Sequence, residues 1–262
     1  MTTLVYPQLE TGALSQFPVT KTRRTRTVTN RAADGSTIKL SDPAGVTTEW
    51  TLSYTDLSDQ EAATLRAFFE AAEGSLNGFT FLDPSGNLLA WSDQLTHAVW
   101  QRDPALTLSG GVADPNSGKQ AWSIANGGAA VQSIAQTIAA PGACRYCLTA
   151  YLRAAAATTV RLWAGSNSAS VRTTPVWNRL TLTSFPPSDV SSMRFGIEVA
   201  ALATMEIYGI QVEAQPGPSG YKATSHGGVY EGAHLRDDAL AITRTGVNRN
   251  SCTVNIIHVN HL

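Results

Sequence analysis

Apolar and polar positions alternate along much of the first 54 residues. Trp50, Leu52 and Tyr54 fall on one face of an extended chain and Thr51 and Ser53 on the other, and Thr37-Ile38-Lys39-Leu40 alternates in the same way. Val19 to Arg31 is rich in threonine and basic residues and has no helical stripe. Asp34-Gly35 is a hairpin turn signal, and Asp42-Pro43-Ala44-Gly45 marks a further turn. The period then changes. Ala62, Leu65, Phe68, Phe69 and Ala72 recur at helical spacing. Ser58-Asp59-Gln60-Glu61 ahead of them has the pattern of a capping box, Leu57 and Ala62 occupy hydrophobic-staple positions, and Gly74 fits the stop. This predicts one helix laid on a sheet through Leu65 and the two phenylalanines. Phe79-Thr80-Phe81 returns to strand, and Asp83-Pro84-Ser85-Gly86 is a turn.

From Asn87 to about Lys222 the chain is rich in Ala, Ser, Thr and Gly, poor in charge, and holds five of the six tryptophans. Strands are predicted at 106–108, 121–124, 129–138, 144–153, 158–164, 174–183, 194–199 and 205–212. Eight strands without helical pattern indicate a β-sandwich of jelly-roll type. Gln215-Pro216-Gly217-Pro218-Ser219-Gly220 reads as a linker, and strands resume at 240–245 and 251–259. Two strands alone are marginal, so this tail is expected to complete the amino-terminal sheet. The predicted fold is mainly β: a split β-barrel or sandwich host with one α-helix, residues 1–87 together with 224–262, and an inserted β-sandwich jelly roll, 88–223, leaving at the Asp83–Gly86 turn.

Composition limits the chemistry. Charged residues make up 15% of the 262, against about 25% in ordinary soluble domains, and the net charge is −1. Binding of DNA or membrane by bulk charge is thereby disfavoured. The first cation is Lys21, so no secretory leader is expected, and no apolar run approaches the length of a membrane span. Cys144 and Cys147 form a lone C-x-x-C, which on a strand points to opposite faces, so buried thiols are expected rather than zinc. Asp103, Asp114 and Asn116 match no calcium loop, and His226, His234, Asp237 and Asp238 are read as polar loop residues. Neither a cofactor nor a metal is expected. No G-x-S-x-G, H-E-x-x-H or phosphate-binding loop is present, and no carboxylate pair stands out, so no catalytic residue is assigned and the chain is not read as an enzyme.

Trp50-Thr51-Leu52-Ser53-Tyr54, Leu57-Ser58-Asp59-Gln60-Glu61, Phe68-Phe69 and Phe79-Thr80-Phe81-Leu82-Asp83-Pro84, with Tyr6-Pro7 and Phe17-Pro18, resemble the amino-terminal domain of bacteriophage distal tail and minor tail proteins over about residues 4–86. Asn87-Leu88-Leu89-Ala90-Trp91-Ser92, Trp100, Tyr151-Leu152-Arg153-Ala154, Trp177-Asn178-Arg179-Leu180, Ile210-Gln211-Val212-Glu213 and Ser219-Gly220-Tyr221 resemble carbohydrate-binding-module-like jelly rolls of phage tails. The first resemblance implies a virion protein assembled in the bacterial host cytoplasm into a closed hexameric ring. Its partners would be its own copies, the tail tube and the tail-tip or hub proteins. Membrane insertion is not implied, and DNA contact would be limited to passage through the lumen. The second implies a projecting domain for host surface polysaccharide. The alternatives are a stand-alone carbohydrate-binding adhesin and, behind it, a glycan depolymerase.

Two sets of residues are candidates. The basic run Lys21, Arg23, Arg24 and Arg26 reads as a subunit interface, as a lumen face that meets DNA passing through the tube, or as a charge-guarded edge strand; alternation would put Arg24 and Arg26 on one face and Lys21 and Arg23 on the other. Residues 1–90 carry 7 basic and 10 acidic groups, which suits charge registration between copies. Sugars stack on exposed rings beside polar groups, which selects Trp100, Trp163, Trp177, Tyr146 and Tyr151 as glycan candidates against the alternative that they are core.

Overall fold

A computed structural model describes residues 4–259; residues 1–3 and 260–262, the outermost positions of the predicted host domain, lie outside the described residues. The chain is mainly β, with one helix. In order the elements are β1 (Val19–Arg31), β2 (Thr37–Leu57), α1 (Asp59–Ala72), β3 (Phe79–Leu82), β4 (Gln101–Arg102), β5 (Leu106–Val112), β6 (Ala121–Asn126), β7 (Gln132–Ile138), β8 (Tyr146–Arg153), β9 (Thr159–Ala164), β10 (Asn167–Arg172), β11 (Asn178–Ser184), β12 (Met193–Val199), β13 (Thr204–Glu213), β14 (Val229–Leu235), β15 (Ile242–Gly246) and β16 (Arg249–Val259). Met1–Glu10, Leu14–Phe81 and Tyr230–Leu262 make one compact unit, and Thr11–Ala13 with Leu82–Val229 a second.

The first unit is built on one sheet, ordered β1-β2-β16-β14-β3, with β15 hairpinned onto β16. Val254 lies opposite Leu52 and Ile256 opposite Trp50, so the last strand continues the buried stripe of β2. Trp50, Leu52, Tyr54 and Leu57 face Phe79 and Phe81 and the buried side of α1, Ala62, Leu65, Phe68 and Ala72. Edge-to-face rings join them: Tyr6 and Phe68 at 5.1 Å, Phe68 and Phe79 at 4.9 Å, Trp50 and Phe81 at 5.0 Å. The helix starts where its capping box predicts: Glu61 N–H donates to Ser58 Oγ at 3.0 Å and Ser58 N–H to Glu61 Oε2 at 2.9 Å. At its end Glu73 already turns left-handed, φ 52°, and Gly74 follows at 64°.

One expectation about the amino-terminal strands is corrected. Asp42–Gly45 does not end a strand; β2 runs on for 21 residues through an irregularity. Arg24 lies opposite Thr47 and Arg26 opposite Asp42, so four residues of β2 bulge out against one of β1. Pro43 has no N–H for the ladder, and Gly45 passes so close to Arg26 that a Cβ there would lie 2.6 Å from the Arg26 Cβ. The simple alternation predicted for Arg24 and Arg26 is broken at this bulge. Beyond it β1 and β2 continue as a two-stranded ribbon to the turn at Asp34-Gly35, exposed on both faces.

The second unit pairs two five-stranded antiparallel sheets, β10-β9-β12-β7-β4 and β11-β8-β13-β6-β5. Leu148, Ala150 and Leu152 of β8, Val160, Leu162 and Ala164 of β9, Phe195, Ile197 and Val199 of β12, and Met205 and Ile207 of β13 are buried. Buried amides close its irregular segments. Asn87 Nδ2 donates to the carbonyls of Ile210 (3.1 Å) and Lys222 (3.4 Å), while its Oδ1 accepts from Leu89 N–H (3.1 Å) and Val212 N–H (3.0 Å). Asn126 does the same for the carbonyls of Ala130, Val199 and Ala200. The sequence reading overlaps most of these strands, but starts the ones at 129 and 174 too early and passes over β4 and β10 here and β14 of the first unit. β4 has two residues and β10 is mostly polar, while β14 carries Val229, Ala233 and Leu235 on one face, interrupted at Glu231.

Candidate functional site

Strand parity sorts the second unit's aromatics. On β8, Tyr146, Leu148, Ala150 and Leu152 point inward, and Cys147, Thr149, Tyr151 and Arg153 point outward. Cross-strand register extends the outer residues into rows over β11, β8 and β13. Arg179, Tyr151 and Tyr208 form one row and Thr181, Thr149 and Gln211 the next; Arg153 pairs with Glu206, and Trp177 sits just ahead of β11 beside them.

Stacking and charge hold these rows. The Arg153 guanidinium lies over Trp177 at 4.6 Å and is ion-paired to Glu206. The Arg179 guanidinium lies over Tyr151 at 5.3 Å, and its Nη2 donates to Thr149 Oγ1 at 3.0 Å. Tyr151 and Tyr208 have ring centroids 5.8 Å apart, and Tyr208 and Tyr221 5.2 Å. Gly209, φ 66°, makes room: a Cβ there would come within 3.1 Å of Tyr221 and 3.4 Å of Tyr151. Asn116 Nδ2 donates to the Tyr208 hydroxyl at 3.1 Å, and burial pushes the Tyr221 phenol up to about 12 beside Ser92. At one end the face is closed over by the segment Gln215–Lys222. There the buried Glu213 carboxylate accepts from Ser219 and Gln215 and lies 3.7 Å from Lys222 Nζ. At the other end Tyr151, Trp177, Arg153 and Arg179 stay partly exposed.

Two of the five glycan candidates, Trp177 and Tyr151, therefore lie together on one solvent-facing sheet. The other three do not offer a ring face to solvent. Tyr146 is fully buried, packs edge-on to Phe195 at 5.7 Å and donates its hydroxyl to the Pro141 carbonyl at 2.6 Å. Trp100 is 4% exposed and donates its indole N–H to the Trp91 carbonyl. Trp163 lies on the outer face of the other sheet, but Arg194 covers it at 4.8 Å and it fills the space above Gly196, leaving 8% exposed. Arg153 and Arg179 fall within the jelly-roll resemblance but not among the site candidates, and Tyr208 falls in neither. The period of two through Tyr151-Leu152-Arg153 and Glu206-Ile207-Tyr208 carries the signal, but only register puts them side by side.

The basic run is partly committed within its own unit. Lys21 Nζ lies 5.5 Å over Trp50 and 5.6 Å over Tyr230. Arg24 pairs with Glu49 at 2.7 Å and Arg26 with Asp42, while Arg23 is exposed. Among the described residues no group of three or more His, Cys, Asp or Glu side chains is arranged to hold a metal. His234 bonds the Ser75 carbonyl, Asp238 takes the Ser75 N–H and hydroxyl, and Asp237 takes Asn255. Cys144, Cys147 and Cys252 are free buried thiols, each pushed up to about 11 by burial. No helix of the described residues is long and apolar enough to cross a membrane.

No family model matches the chain. No curated protein matches it either. Several solved structures do. The enzymatically active domain of tailspike protein 4 of bacteriophage CBA120 is 14% identical, with a TM-score of 0.40 over 54% of this chain and 23% of that one. The C-terminal family 22 carbohydrate-binding module of Clostridium thermocellum Xyn10B is 14% identical, with a TM-score of 0.41 over 53% of this chain and 98% of the module. The CBM22-1 xylan-binding domain of Paenibacillus barcinonensis Xyn10C is 13% identical, with a TM-score of 0.40 over 51% and 97%. At these identities the likeness is one of architecture alone.

Proposed function

We propose that the second unit binds a saccharide on the outer face of β11-β8-β13. The observation that carries this reading is the partly exposed pair Tyr151 and Trp177, backed by the buried Tyr208 and interleaved with Arg153, Arg179 and Glu206. Flat rings receive the C–H faces of a sugar, and fixed donors and acceptors between them take its hydroxyls. Binding without turnover is the reading for this face. What supports it is that Glu206 is ion-paired to Arg153 and Glu213 is engaged by Ser219, Gln215 and Lys222. The test is titration of the full chain with arrayed bacterial surface polysaccharides, beside Tyr151→Ala and Trp177→Ala. Each is expected to weaken binding about tenfold, about 1.4 kcal/mol, with the unfolding transition kept. Binding unchanged in both variants would remove the face from the site.

A second reading concerns the first unit. Its β1–β2 ribbon bears Val28 opposite Leu40, with Ile38 two residues on, exposed by 40%, 52% and 51% respectively. An uncovered apolar stripe on a two-stranded ribbon calls for a partner. The same unit presents an acidic helix, Asp59, Glu61, Glu70 and Glu73, as a complement to the basic β1. Repeated head-to-tail, such contacts close a ring. A ring component of a phage tail tip, with self, tube and hub proteins as partners and the saccharide-binding unit serving host attachment, is the role these features support. Electron microscopy of the purified chain tests it: rings support it, and a strictly monomeric chain at high concentration overturns it.

A further inference from the structure

The outer face of β11-β8-β13 and the segments against it carry charges of both signs. The cations are Arg153, Arg179 and Lys222, and the carboxylates are Glu206, Glu213 and, beside Tyr221, Asp93. Arg153 is ion-paired to Glu206 and Lys222 lies 3.7 Å from Glu213. Arg179 forms no ion pair among the described residues. One of its five N–H donors goes to Thr149 Oγ1, and its Nε–H is buried without an acceptor. The guanidinium is stacked on Tyr151, which strips water from one side of it, in the row that joins Tyr151 to Tyr208. A partly desolvated cation with unused donors and no counter-charge is costly in the free protein and favours an anionic ligand. With the Nε–H buried, a carboxylate would be received end-on by the Nη1 and Nη2 donors that Thr149 leaves over. A neutral sugar leaves the charge uncompensated.

Resting on the saccharide-binding reading above, we propose that the ligand is acidic: a carboxylate-bearing saccharide of the uronate type, whose carboxylate is received by Arg179 while its ring lies against Tyr151 or Trp177. Arg194 on the opposite sheet marks the contrast. It too is stacked on an aromatic ring and has a buried Nε–H without an acceptor, but its ring, Trp163, is covered, so that face offers no platform beside the charge.

The experiment uses the full chain and a panel of bacterial polysaccharides, each presented native and after chemical reduction of its carboxyl groups to alcohols. Affinities are read by calorimetry or on an array for the wild type, Arg179→Gln, Arg179→Lys and Trp177→Ala. The expected result is at least tenfold tighter binding of a native acidic polymer than of its reduced form, a preference abolished in Arg179→Gln and partly restored in Arg179→Lys. Weaker binding at raised salt accompanies it in the proteins that keep a cation at position 179 and not in Arg179→Gln. Equal binding of native and reduced polymers, with loss in Trp177→Ala, overturns the charge assignment and leaves the saccharide face standing. A preference that survives in Arg179→Gln overturns the role of Arg179. Preference for phosphate-bearing over carboxylate-bearing polymers overturns the uronate assignment, and no binding of any polymer overturns both readings. Unfolding midpoints of all four proteins show whether a loss of binding comes from a loss of fold.

Discussion

β1 and β8 are both alternating strands paired on an antiparallel neighbour, yet they meet solvent in opposite ways. None of the thirteen residues of β1 is buried, while six of the eight of β8 are. The inner face of β8 is covered by the facing sheet of its own unit, and its outer face keeps only Tyr151 and Arg153 partly open. Past the bulge at Pro43–Val46, the β1–β2 ribbon is exposed on both faces among the described residues. A two-stranded ribbon is marginal in water. The second unit therefore holds its strands by its own packing, and the ribbon's order is expected to come from neighbouring copies.

The largest expected effect comes from removing the ribbon. Arg24 and Thr47 are cross-strand partners, so residues 25–46 can be replaced by Asn-Gly, which closes a two-residue hairpin turn. Assembly should vanish in electron micrographs and sedimentation, while the thermal midpoint moves by less than about 3 °C, because little buried area leaves with the ribbon. Assemblies that survive the excision would show that the interface lies elsewhere.

The opposite pattern is expected at Asn87. Its side chain satisfies two carbonyls and two N–H groups in the second unit and is fully buried. Asn87→Ala strands several buried polar groups and should cost about 3 kcal/mol in urea unfolding, with assembly through the first unit intact. Between these lies Val28→Asp with Leu40→Asp, which charges the exposed stripe of the ribbon. Self-association should weaken about tenfold, near 1.4 kcal/mol, with global stability unchanged.

The same contrast explains what could be read from the sequence. Alternation such as Trp50-Thr51-Leu52-Ser53-Tyr54 specifies a strand with one buried side, and the Ser58–Glu61 capping box specifies where α1 begins. Both are local, and both were legible. What covers a face is not local. Tyr146 and Tyr151 lie five positions apart on one strand, so parity sends them to opposite sides, and only the pairing of β8 with β13 and β11 shows which side is core. Trp163 has the outward parity but is roofed by Arg194 from a strand thirty residues on. The site depends on register and on long side chains folded over rings, and neither leaves a short-range signature.

The smallest expected effect, and the finest discrimination between the two regions, is in acid. Asp114 in the second unit and Asp34 at the ribbon's turn both have carboxyls held below the usual range. At Asp114 desolvation pushes upward, and three backbone N–H groups, of Gln120, Asn116 and Gly118, more than offset it. At Asp34 the hydroxyl of Ser36, and then its N–H, do so. A carboxyl lowered by folding contributes stability above its unfolded pKa of about 3.9, and that contribution is lost as pH falls through the folded value. Asp114→Asn should therefore lower the urea midpoint at pH 5 to 7, with the gap to wild type closing below about pH 3. Asp34→Asn should leave the midpoint unmoved at every pH. Its linkage belongs to local opening of the ribbon, which precedes and does not limit cooperative unfolding of the packed units. A midpoint shift in Asp34→Asn as large as in Asp114→Asn would mean that the ribbon unfolds together with the packed core, and its order would then not need a neighbouring copy.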